Sequence, residues 1–352
     1  MYVLMDGWMC VFMAAPATCA SQIGGASQAE VAILVISARR GEFEAGFERG
    51  GQTREHAVLV RSGGARHIVV AVNKMDECEW ASARFEAIQS KVSPFLKSLG
   101  LDLKTDVSWI PIAGLGGENL RTALPAGVCP WYQGPPLMDL LDGIALPRRY
   151  ADRPLRILVS SAYREGEVFA LGKVESGKVE VGQELVLMPG AKGVKVLQVM
   201  VDDDDFPAAE AGDIVRLKVS MAKGYGEDDV TPGSVLCEAG PGACGSVTRF
   251  CARVNVLEAP RILSAGYSCM LHVHNIATSC EWKEVKQVLD KTTKKFKKAP
   301  FARAGTTCDV EIEVPEEICV EKYKDFPQLG RFVLREEGLT VGIGVVTSFG
   351  ES

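Results

Sequence analysis

The stretch His67–Asp76 reads HIVVAVNKMD, an uninterrupted apolar run followed at once by Asn-Lys-Met-Asp. Such a run is typical of a strand that is buried on both faces of a parallel sheet. The polar tetrapeptide then falls in the loop at the carboxyl end of that strand, where ligands bind in open α/β sheets. The stretch therefore predicts both a class of fold and the place of a site.

The residue types in Asn73–Asp76 fit the recognition of guanine. A carboxylate at Asp76 can accept two hydrogen bonds from guanine, one from the ring N–H and one from the exocyclic amine. Adenine has no matching pair of donors, so it would leave the carboxylate unsatisfied. Asn73 can brace the loop, and the stem of Lys74 can cover the face of the base. The alternative is an ordinary Asn-x-x-Asp turn after a strand, and the tetrapeptide alone does not decide between the two.

The composition is that of a globular protein with two or three domains. The chain has 352 residues, of which 47% are apolar and 24% charged. The net charge of −6 gives no overall signature of nucleic-acid binding, so any RNA contact would be a local basic patch. The 11 cysteines show no paired C-x-x-C spacing, which predicts reduced core thiols in a cytoplasmic protein and no metal site. No apolar stretch reaches membrane-spanning length.

Residues 1–20 form an atypical amino terminus that is apolar and rich in Met and Cys. The segment differs from a signal peptide because it has no positively charged start and carries Asp6. We expect a truncated or mis-joined start of the chain, and we expect the neighbouring sheet to expose an edge.

Residues 21–125 alternate strand and helix patterns, which predicts an α/β domain with a parallel sheet. The predicted strands and helices are Val31–Ile36, Phe47–Val60, His67–Val72, Trp80–Leu99 and Val107–Ile112.

A second loop, Ala113-Gly114-Leu115, follows the last of these predicted strands. The carboxyl ends of parallel strands lie at one edge of a sheet. The sequence therefore predicts one pocket formed by Asn73, Lys74 and Asp76 together with Ala113, Gly114 and Leu115.

The pattern changes after residue 125. Residues 126–153 form a linker that is punctuated by prolines, and short alternating strands with glycine turns follow it. This rhythm predicts two β-barrel domains, at 154–245 and 246–352.

Gly172–Lys178 spells G-x-x-x-x-G-K but does not predict a phosphate loop. Val179 stands where Ser or Thr would bind magnesium, and both flanks have strand patterns, so we interpret Ser176-Gly177 as a hairpin turn. No Asp in the chain is followed three residues later by Gly, so the D-x-x-G motif is missing as well. The base-reading half of a nucleotide site is present, without a phosphate- and magnesium-binding half.

Several longer motifs make the chain resemble the translational GTPases of the elongation-factor one-alpha group. The motifs are Asn73–Asp76, Ile23–Ala29, Gly41–Glu48, Gly51–Ala57, Cys129–Tyr132 and Asp325–Gly338. Within the group, Phe47, Val128–Trp131, Leu271–His274 and Asp325–Gln328 are similar to the release-factor branch. The ribosome-rescue branch and the elongation factors remain alternatives.

The resemblance implies an incomplete phosphate-loop-type GTPase domain followed by two β-barrels. It implies GTP or GDP with Mg²⁺ as cofactors, and the ribosome and a stop-codon-reading release factor as partners in translation termination. Elongation factors deliver aminoacyl-tRNA instead. A non-catalytic binding module that keeps the barrels is the alternative from another class.

The chain departs from the family at functional positions. Val11–Pro16 stands where D-x-x-G and a catalytic His are expected, with Ala15 in place of the His. Ala113 replaces a Ser that usually begins the second base-contacting loop. We therefore assign no catalytic residue.

Other polar residues are weaker candidates. His56, expected on the exposed side of its helix, could be a general base, and His272 and His274 could share one face of a strand as a metal pair. The basic stretch 291–303 could contact ribosomal RNA or lie in solvent, and Asp202–Asp205 fits a charged turn. For Arg331, Phe332 and Arg335, structural pairing and contact with a partner are both open.

Overall fold

The computed structural model describes most of the chain. The described residues are 2–5, 8–13, 29–48, 51–144, 150–202, 204–221, 229–240, 242–259, 261–290, 293 and 295–350. For residues 2–5, 8–13 and 62–63 only the backbone is described. The chain divides into two compact units, Met1–Pro147 and Arg148–Ser352.

The first unit is a five-stranded sheet with helices. Its strands are β1 (Tyr2–Met5), β2 (Trp8–Met13), β3 (Val31–Ser37), β4 (His67–Asn73) and β5 (Val107–Pro111). Its helices are α1 (Glu42–Phe47), α2 (Gln52–Gly63), α3 (Ser82–Ser98) and α4 (Leu137–Asp142), with a 3₁₀ helix at Asp76–Cys78. The strands lie in the order β1-β2-β3-β4-β5, and β2 to β5 are parallel, as predicted for this part of the sheet.

Burial explains why β4 is central. All of Ile68–Val72 is inaccessible to solvent, because β4 lies between β3 and β5 and is covered on both faces. Each such aliphatic side chain contributes roughly 1.5–3 kcal/mol relative to an exposed one. On α3 the buried residues Phe85, Ile88, Val92 and Leu96 recur at helical spacing, which confirms the predicted amphipathic helix.

Three expectations for this unit were wrong. The helix predicted over 47–60 is in fact two helices, since α1 ends at Phe47 and α2 begins at Gln52. His56 is buried instead of exposed, because α2 contacts both β3 and α1. The edge of the sheet beside β3 is not free either, because β2 pairs along Val31–Leu34.

The second unit begins with a closed six-stranded barrel. The strands of this part of the chain, six of which form the barrel, are β6 (Arg156–Glu165), β7 (Glu167–Ser176), β8 (Lys178–Glu180), β9 (Glu184–Met188), β10 (Lys192–Val201), β11 (Asp204–Phe206), β12 (Ala208–Glu210), β13 (Ile214–Met221) and β14 (Val235–Cys237). The ring runs β10-β13-β7-β6-β14-β9 and closes because β9 pairs with β10. Strand β11 pairs with β10, and Asp202 lies in a turn as predicted, whereas the prediction was wrong for Asp204 and Asp205, which belong to β11.

A second closed barrel follows. Its strands are β15 (Ser246–Val256), β16 (Leu263–Ser264), β17 (Ser268–Val273), β18 (Ile276–Leu289), β19 (Phe296–Lys297), β20 (Phe301–Ala302), β21 (Thr307–Cys319), β22 (Arg331–Glu336) and β23 (Leu339–Phe349). The ring runs β17-β22-β23-β15-β21-β18 and closes through the β17–β18 hairpin. Phe250, Trp282 and Phe332 fill its core. Two barrels were predicted, whereas the boundaries at 154, 245 and 246 stay a prediction.

The G-x-x-x-x-G-K segment lies in the first barrel, where Gly172–Ser176 end β7 and Lys178 begins β8. Its predicted hairpin was wrong, because β7 pairs with β6 and β13 while β8 pairs with β12. The chain therefore bends from one sheet into another at Gly177. The φ of Gly177 is +77°, and an added Cβ would lie 2.6 Å from the Leu155 Cα, so only glycine fits this bend.

A buried ion pair joins the two barrels. Arg156 of β6 donates from Nε and Nη2 to Glu321 Oε1 at 3.1 and 2.8 Å. The guanidinium also donates to the carbonyl oxygens of Leu155 and Gly242, and it lies over the ring of Phe326. With side chains only 3% and 12% exposed, these two charges depend on each other.

We expect Arg156→Met to lower the free energy of unfolding by about 3 kcal/mol, because it leaves the Glu321 carboxylate buried without its cation. Arg253→Met is the matched control, since the Arg253–Asp309 pair is 46% exposed on the arginine side, and it should cost under about 1 kcal/mol. Urea denaturation of the full chain measures both. Equal losses would contradict the special role of the Arg156–Glu321 pair.

A pH dependence follows from His274, which lies in the turn between β17 and β18 with φ 51°. Its Nε2–H donates to the Cys319 carbonyl at 3.1 Å, and burial lowers the pKa of His274 to about 4. The unfolded chain, with a His pKa near 6.5, then binds more protons than the folded chain between these values. The contribution of neutral His274 to the free energy of unfolding is therefore complete above pH 6.5 and is lost as the pH falls toward 4.

We expect His274→Asn, which tolerates the left-handed conformation, to flatten this loss. The difference in slope between variant and parent should reach up to about 1.4 kcal/mol per pH unit. Denaturation midpoints between pH 7 and 4 give the measurement. Parallel pH curves for the two proteins would show that His274 does not carry the effect.

Candidate functional site

The two predicted loops meet at the carboxyl ends of neighbouring parallel strands. Strand β4 ends at Asn73. Strand β5 ends at Pro111, and the chain then continues through Ile112 into Ala113. The backbone joins these ends, since the Ile112 N–H donates to the Val72 carbonyl at 2.8 Å and the Met75 N–H donates to the Ile112 carbonyl at 3.2 Å. The structure thus brings together the residues that the sequence placed in one pocket.

Asn73 connects the two loops through a single atom. Its Oδ1 accepts the backbone N–H of Lys74 at 2.8 Å and that of Gly114, 41 residues further along, also at 2.8 Å. An added Cβ on Gly114 would lie 3.2 Å from this oxygen, so a side chain there would press on the bridge. These two hydrogen bonds are the contacts through which Asn73 braces the loops.

Lys74 has a left-handed backbone, with φ 62°, and its side chain turns toward α1. The ammonium Nζ lies 2.7 Å from Glu42 Oε2. The hydrogen bond from Lys74, followed by that from the Ser37 hydroxyl, lowers the pKa of Glu42 to about 2. Arg39 adds a second cation to Glu42 and also pairs with Glu77 at 2.6 Å. The loop is therefore tied by charge to the end of β3 and the start of α1.

Asp76 is exposed and begins the 3₁₀ helix Asp76–Cys78. The turn after it is compact, because Glu79 and Trp80 have left-handed backbones and the indole N–H of Trp131 donates to the Trp80 carbonyl at 2.7 Å. An exposed carboxylate on a fixed turn can accept the two donors of a guanine edge.

The second loop is a short turn between two hydrogen-bonded residues. Ala113 and Glu118 exchange backbone hydrogen bonds of 3.1 and 3.2 Å, and the Ala113 side chain is buried. Leu115 lies at the tip, with its side chain fully exposed. Ala113, at the position of the family's Ser, therefore packs its side chain inward.

Sequence reasoning missed Asn119. This residue is buried, has φ 59° and donates from Nδ2 to the Pro111 carbonyl at 2.8 Å, which fixes the base of the second loop. An Asn shortly after a glycine pair is a signal for a left-handed turn residue.

The residues present fit the base of a guanine nucleotide. Asp76 is an exposed acceptor three residues after Asn73, and Asn73 is hydrogen-bonded to Gly114 of the second loop. The 352 residues hold no phosphate-loop motif and no D-x-x-G for the phosphates and Mg²⁺. The positions predicted to replace the catalytic His region, Ala14–Pro16, lie outside the described residues.

The three histidine candidates lie in α2, in β17 and in the turn after β17. His56 is buried in α2, and burial lowers its pKa. The expectation that His272 and His274 share a strand face was wrong, because β17 ends at Val273 and His274 belongs to the turn. Within the described part of the chain, no group of His, Cys, Asp or Glu side chains could hold a metal ion.

The three residues considered for contact with a partner differ in how deeply they are buried. Phe332 is 2% exposed and packs edge-on against Phe250, so we withdraw it as a contact residue. Arg335 is also buried and donates to the Gly338 carbonyl at 2.6 Å. Arg331 is half-buried and donates to the Tyr323 hydroxyl at 3.3 Å. Of the three, Arg331 remains the candidate that a partner could reach.

The basic stretch 291–303 is described only in part. Lys297 forms an ion pair with Asp290 at 2.5 Å, and Arg303 lies over the ring of Phe301. Lys291 and Lys294 lie outside the described residues. Contact of this stretch with RNA stays a prediction.

Among the described helices none is long and apolar enough to cross a membrane.

Two family models match the chain. Residues 20–147 match the elongation factor Tu GTP binding domain, and residues 249–347 match the GTP-eEF1A C-terminal domain-like family.

Curated relatives carry one description, eukaryotic peptide chain release factor GTP-binding subunit. The relative from Schizosaccharomyces pombe is 40% identical over 332 residues, covering 93% of this chain and 49% of its own length. The relative from Candida albicans is 42% identical over 330 residues, covering 92% and 46%. The chain thus spans about half the length of the curated relatives it matches.

Solved structures agree with these matches. The elongation factor SelB from Methanococcus maripaludis in its apo form has a TM-score of 0.68 at 16% identity, covering 99% of this chain and 72% of that one, which shows the fold alone. The crystal structure of sup35 complexed with GDP is 38% identical, has a TM-score of 0.53 and covers 94% of this chain and 81% of that one. With the two joined loops, the two barrels and these relatives together, the chain belongs to the family of eukaryotic peptide chain release factor GTP-binding subunits, within the translational GTPases.

Proposed function

We propose that this chain acts in translation termination in the cytoplasm as the GTP-binding subunit that assists a stop-codon-reading release factor on the ribosome. The Asn73 bridge carries the proposal, because it joins the two loops whose residue types fit guanine recognition. The relatives that share about 40% of the sequence are named for this role.

Base recognition would rest on complementary hydrogen bonding. Asp76 would accept the ring N–H and exocyclic amine of guanine. The backbone N–H of Leu115 would donate to the guanine carbonyl oxygen, because those of Ala113 and Gly114 donate to Glu118 and Asn73. Lys74 contributes its alkyl stem to the face of the base. An adenine in the same place would present an acceptor to the Asp76 carboxylate, and the lost pairing would cost about 1–3 kcal/mol.

Bound GTP would supply the phosphoryl group whose hydrolysis drives such factors, and Mg²⁺ would neutralise its charge. This chain's own residues contribute the base contacts, and none of its motifs provides a cradle for the phosphates. Since phosphate contacts provide much of the affinity for a nucleotide, we infer that this polypeptide binds guanine nucleotides weakly.

A second candidate from another class is a binding module that engages its partner without turnover. The closed rings of both barrels favour it, because each barrel has a complete core of its own. Such a module would hold the release factor through the barrels irrespective of nucleotide.

We expect ligand-observed NMR at millimolar GDP to show weak binding that ADP does not reproduce, whereas Asp76→Ala loses the preference for guanine by at least about tenfold. Asp139→Asn, which changes an exposed carboxylate on α4, is the matched control and should behave as the parent. Isothermal titration provides the second readout. Micromolar affinity that is specific for guanine nucleotides would exclude the alternative of a binding module that does not bind nucleotide. An equal response of the chain to GDP and ADP would exclude recognition of the guanine base.

We expect the full chain to retain a stop-codon-reading release factor in a pull-down and not to retain elongator aminoacyl-tRNA. Arg331→Ala should reduce retention severalfold if this side chain contacts the partner, since arginines often dominate such interfaces. Arg249→Ala, on β15 of the same barrel and paired with Glu313, is the control. Preference for tRNA would instead favour an elongation-factor role, and capture of a ribosome-rescue partner would favour that branch.

A further inference from the structure

Two cysteines face each other across the hairpin that closes the second barrel. Cys269 on β17 is the direct register partner of Cys280 on β18. Their sulfur atoms lie 3.6 Å apart. Directly opposed residues in an antiparallel pair have Cα atoms about 4.5–5.5 Å apart, which lies within the range that a disulfide spans. Only a small adjustment of the two side chains would therefore bring the sulfurs into bonding distance.

The two thiols are not equivalent. Cys269 is 9% exposed and Cys280 is 3% exposed, so a small reagent reaches Cys269 first. The hydrogen bond between the two sulfurs, together with burial, raises the pKa of Cys280. The difference in exposure makes Cys269 the first sulfur to meet a peroxide and leaves Cys280 as the second sulfur, 3.6 Å away, which is the order that sequential oxidation requires.

We propose that Cys269 and Cys280 form a dithiol site that small hydroperoxides oxidise reversibly to an intrachain disulfide. In the first step the Cys269 sulfur attacks the peroxide and gains OH as a sulfenic acid, the O–O bond breaks, and the thiol proton of Cys269 goes to the departing oxygen, which leaves as water or an alcohol. In the second step the Cys280 sulfur attacks the Cys269 sulfur, and the departing hydroxide takes the Cys280 proton to leave as water. Two thiols are oxidised and one peroxide is reduced, and an external thiol reverses the change.

The position of the pair gives the oxidation a structural consequence. Strand β17 also pairs with β22, where Met270 faces Arg335 and His272 faces Val333. A covalent bond between β17 and β18 would fix the closing hairpin beside the strand that begins with Arg331. The site is independent of the nucleotide loops, so its test does not depend on the proposed function.

The chain offers a matched control for reactivity. Cys244 and Cys319 form a second thiol contact, and their hydrogen bond raises the pKa of Cys244. They are 2% and 0% exposed at the contact between the barrels, so neither offers an accessible first sulfur. Cys251 is a different reference, because its sulfur is 3.0 Å from the Lys286 ammonium and its chemistry does not depend on a neighbouring thiol.

The test treats the folded full chain with hydrogen peroxide, labels the remaining thiols with iodoacetamide and maps tryptic peptides. Cys269 and Cys280 fall in one peptide, Ile262–Lys283, because Arg261 precedes it and no lysine or arginine lies between. We expect this peptide to lose two hydrogens and both labels together, at least about tenfold faster than labels disappear from Cys244 and Cys319. Dithiothreitol should restore both labels. Oxidation of the exposed Met270 in the same peptide adds oxygen and is distinguished by mass.

Variants separate the two roles. In Cys280→Ala the sulfenic acid on Cys269 should persist and react with dimedone, whereas the parent should show little adduct; Cys269→Ala should protect Cys280 from oxidation. If either variant fails to fold, the paired loss of labels in the parent still decides the question. Independent loss of the two labels, a sulfonic acid on Cys269 without a disulfide, or equal rates for the two thiol pairs would overturn the proposal.

Discussion

The amide oxygen of Asn73 holds the candidate site together. It accepts backbone hydrogen bonds from Lys74 and from Gly114, so two loops that are distant in sequence share one acceptor. That sharing depends on β4 and β5 being parallel neighbours, and their position depends in turn on the complete burial of Ile68–Val72. Hydrophobic burial thus sets the strands, and the strands set the distance at which a single carboxamide can serve both loops.

The second unit is stabilised by the closure of its strands into two rings, and not by helices packed against a sheet. Each barrel pairs its strands in a ring, so the inward-facing residues make a core without help from a helix. The contact between the two barrels combines a hydrophobic cluster that includes Leu158, Cys319 and Leu329 with the Arg156–Glu321 ion pair. A buried ion pair of this kind specifies how two surfaces meet more than it strengthens them.

The sequence predicted those features that depend on local pattern. The apolar run before Asn73 predicted β4, and the alternating segments predicted the barrels, because strand periodicity reports which side chains face a core. Burial of His56 and Phe332 was not predictable in this way, since it depends on which other elements cover α2 and β22. The pairing of β8 with β12 was missed for the same reason, because a glycine between strand patterns is compatible with a hairpin and with a bend. Asn119 acts through a backbone conformation that side-chain chemistry alone does not reveal.

The Arg156–Glu321 pair has a consequence for the order of events during synthesis. Its two residues are 165 positions apart, and β6, which carries Arg156, is made long before Glu321. The first barrel can close once β14 has emerged, but the guanidinium must keep its water until the second barrel brings the carboxylate to it. Docking of the barrels is therefore a late step in the maturation of the nascent chain, and during that interval the first barrel exposes a hydrated, cationic face that the finished protein conceals.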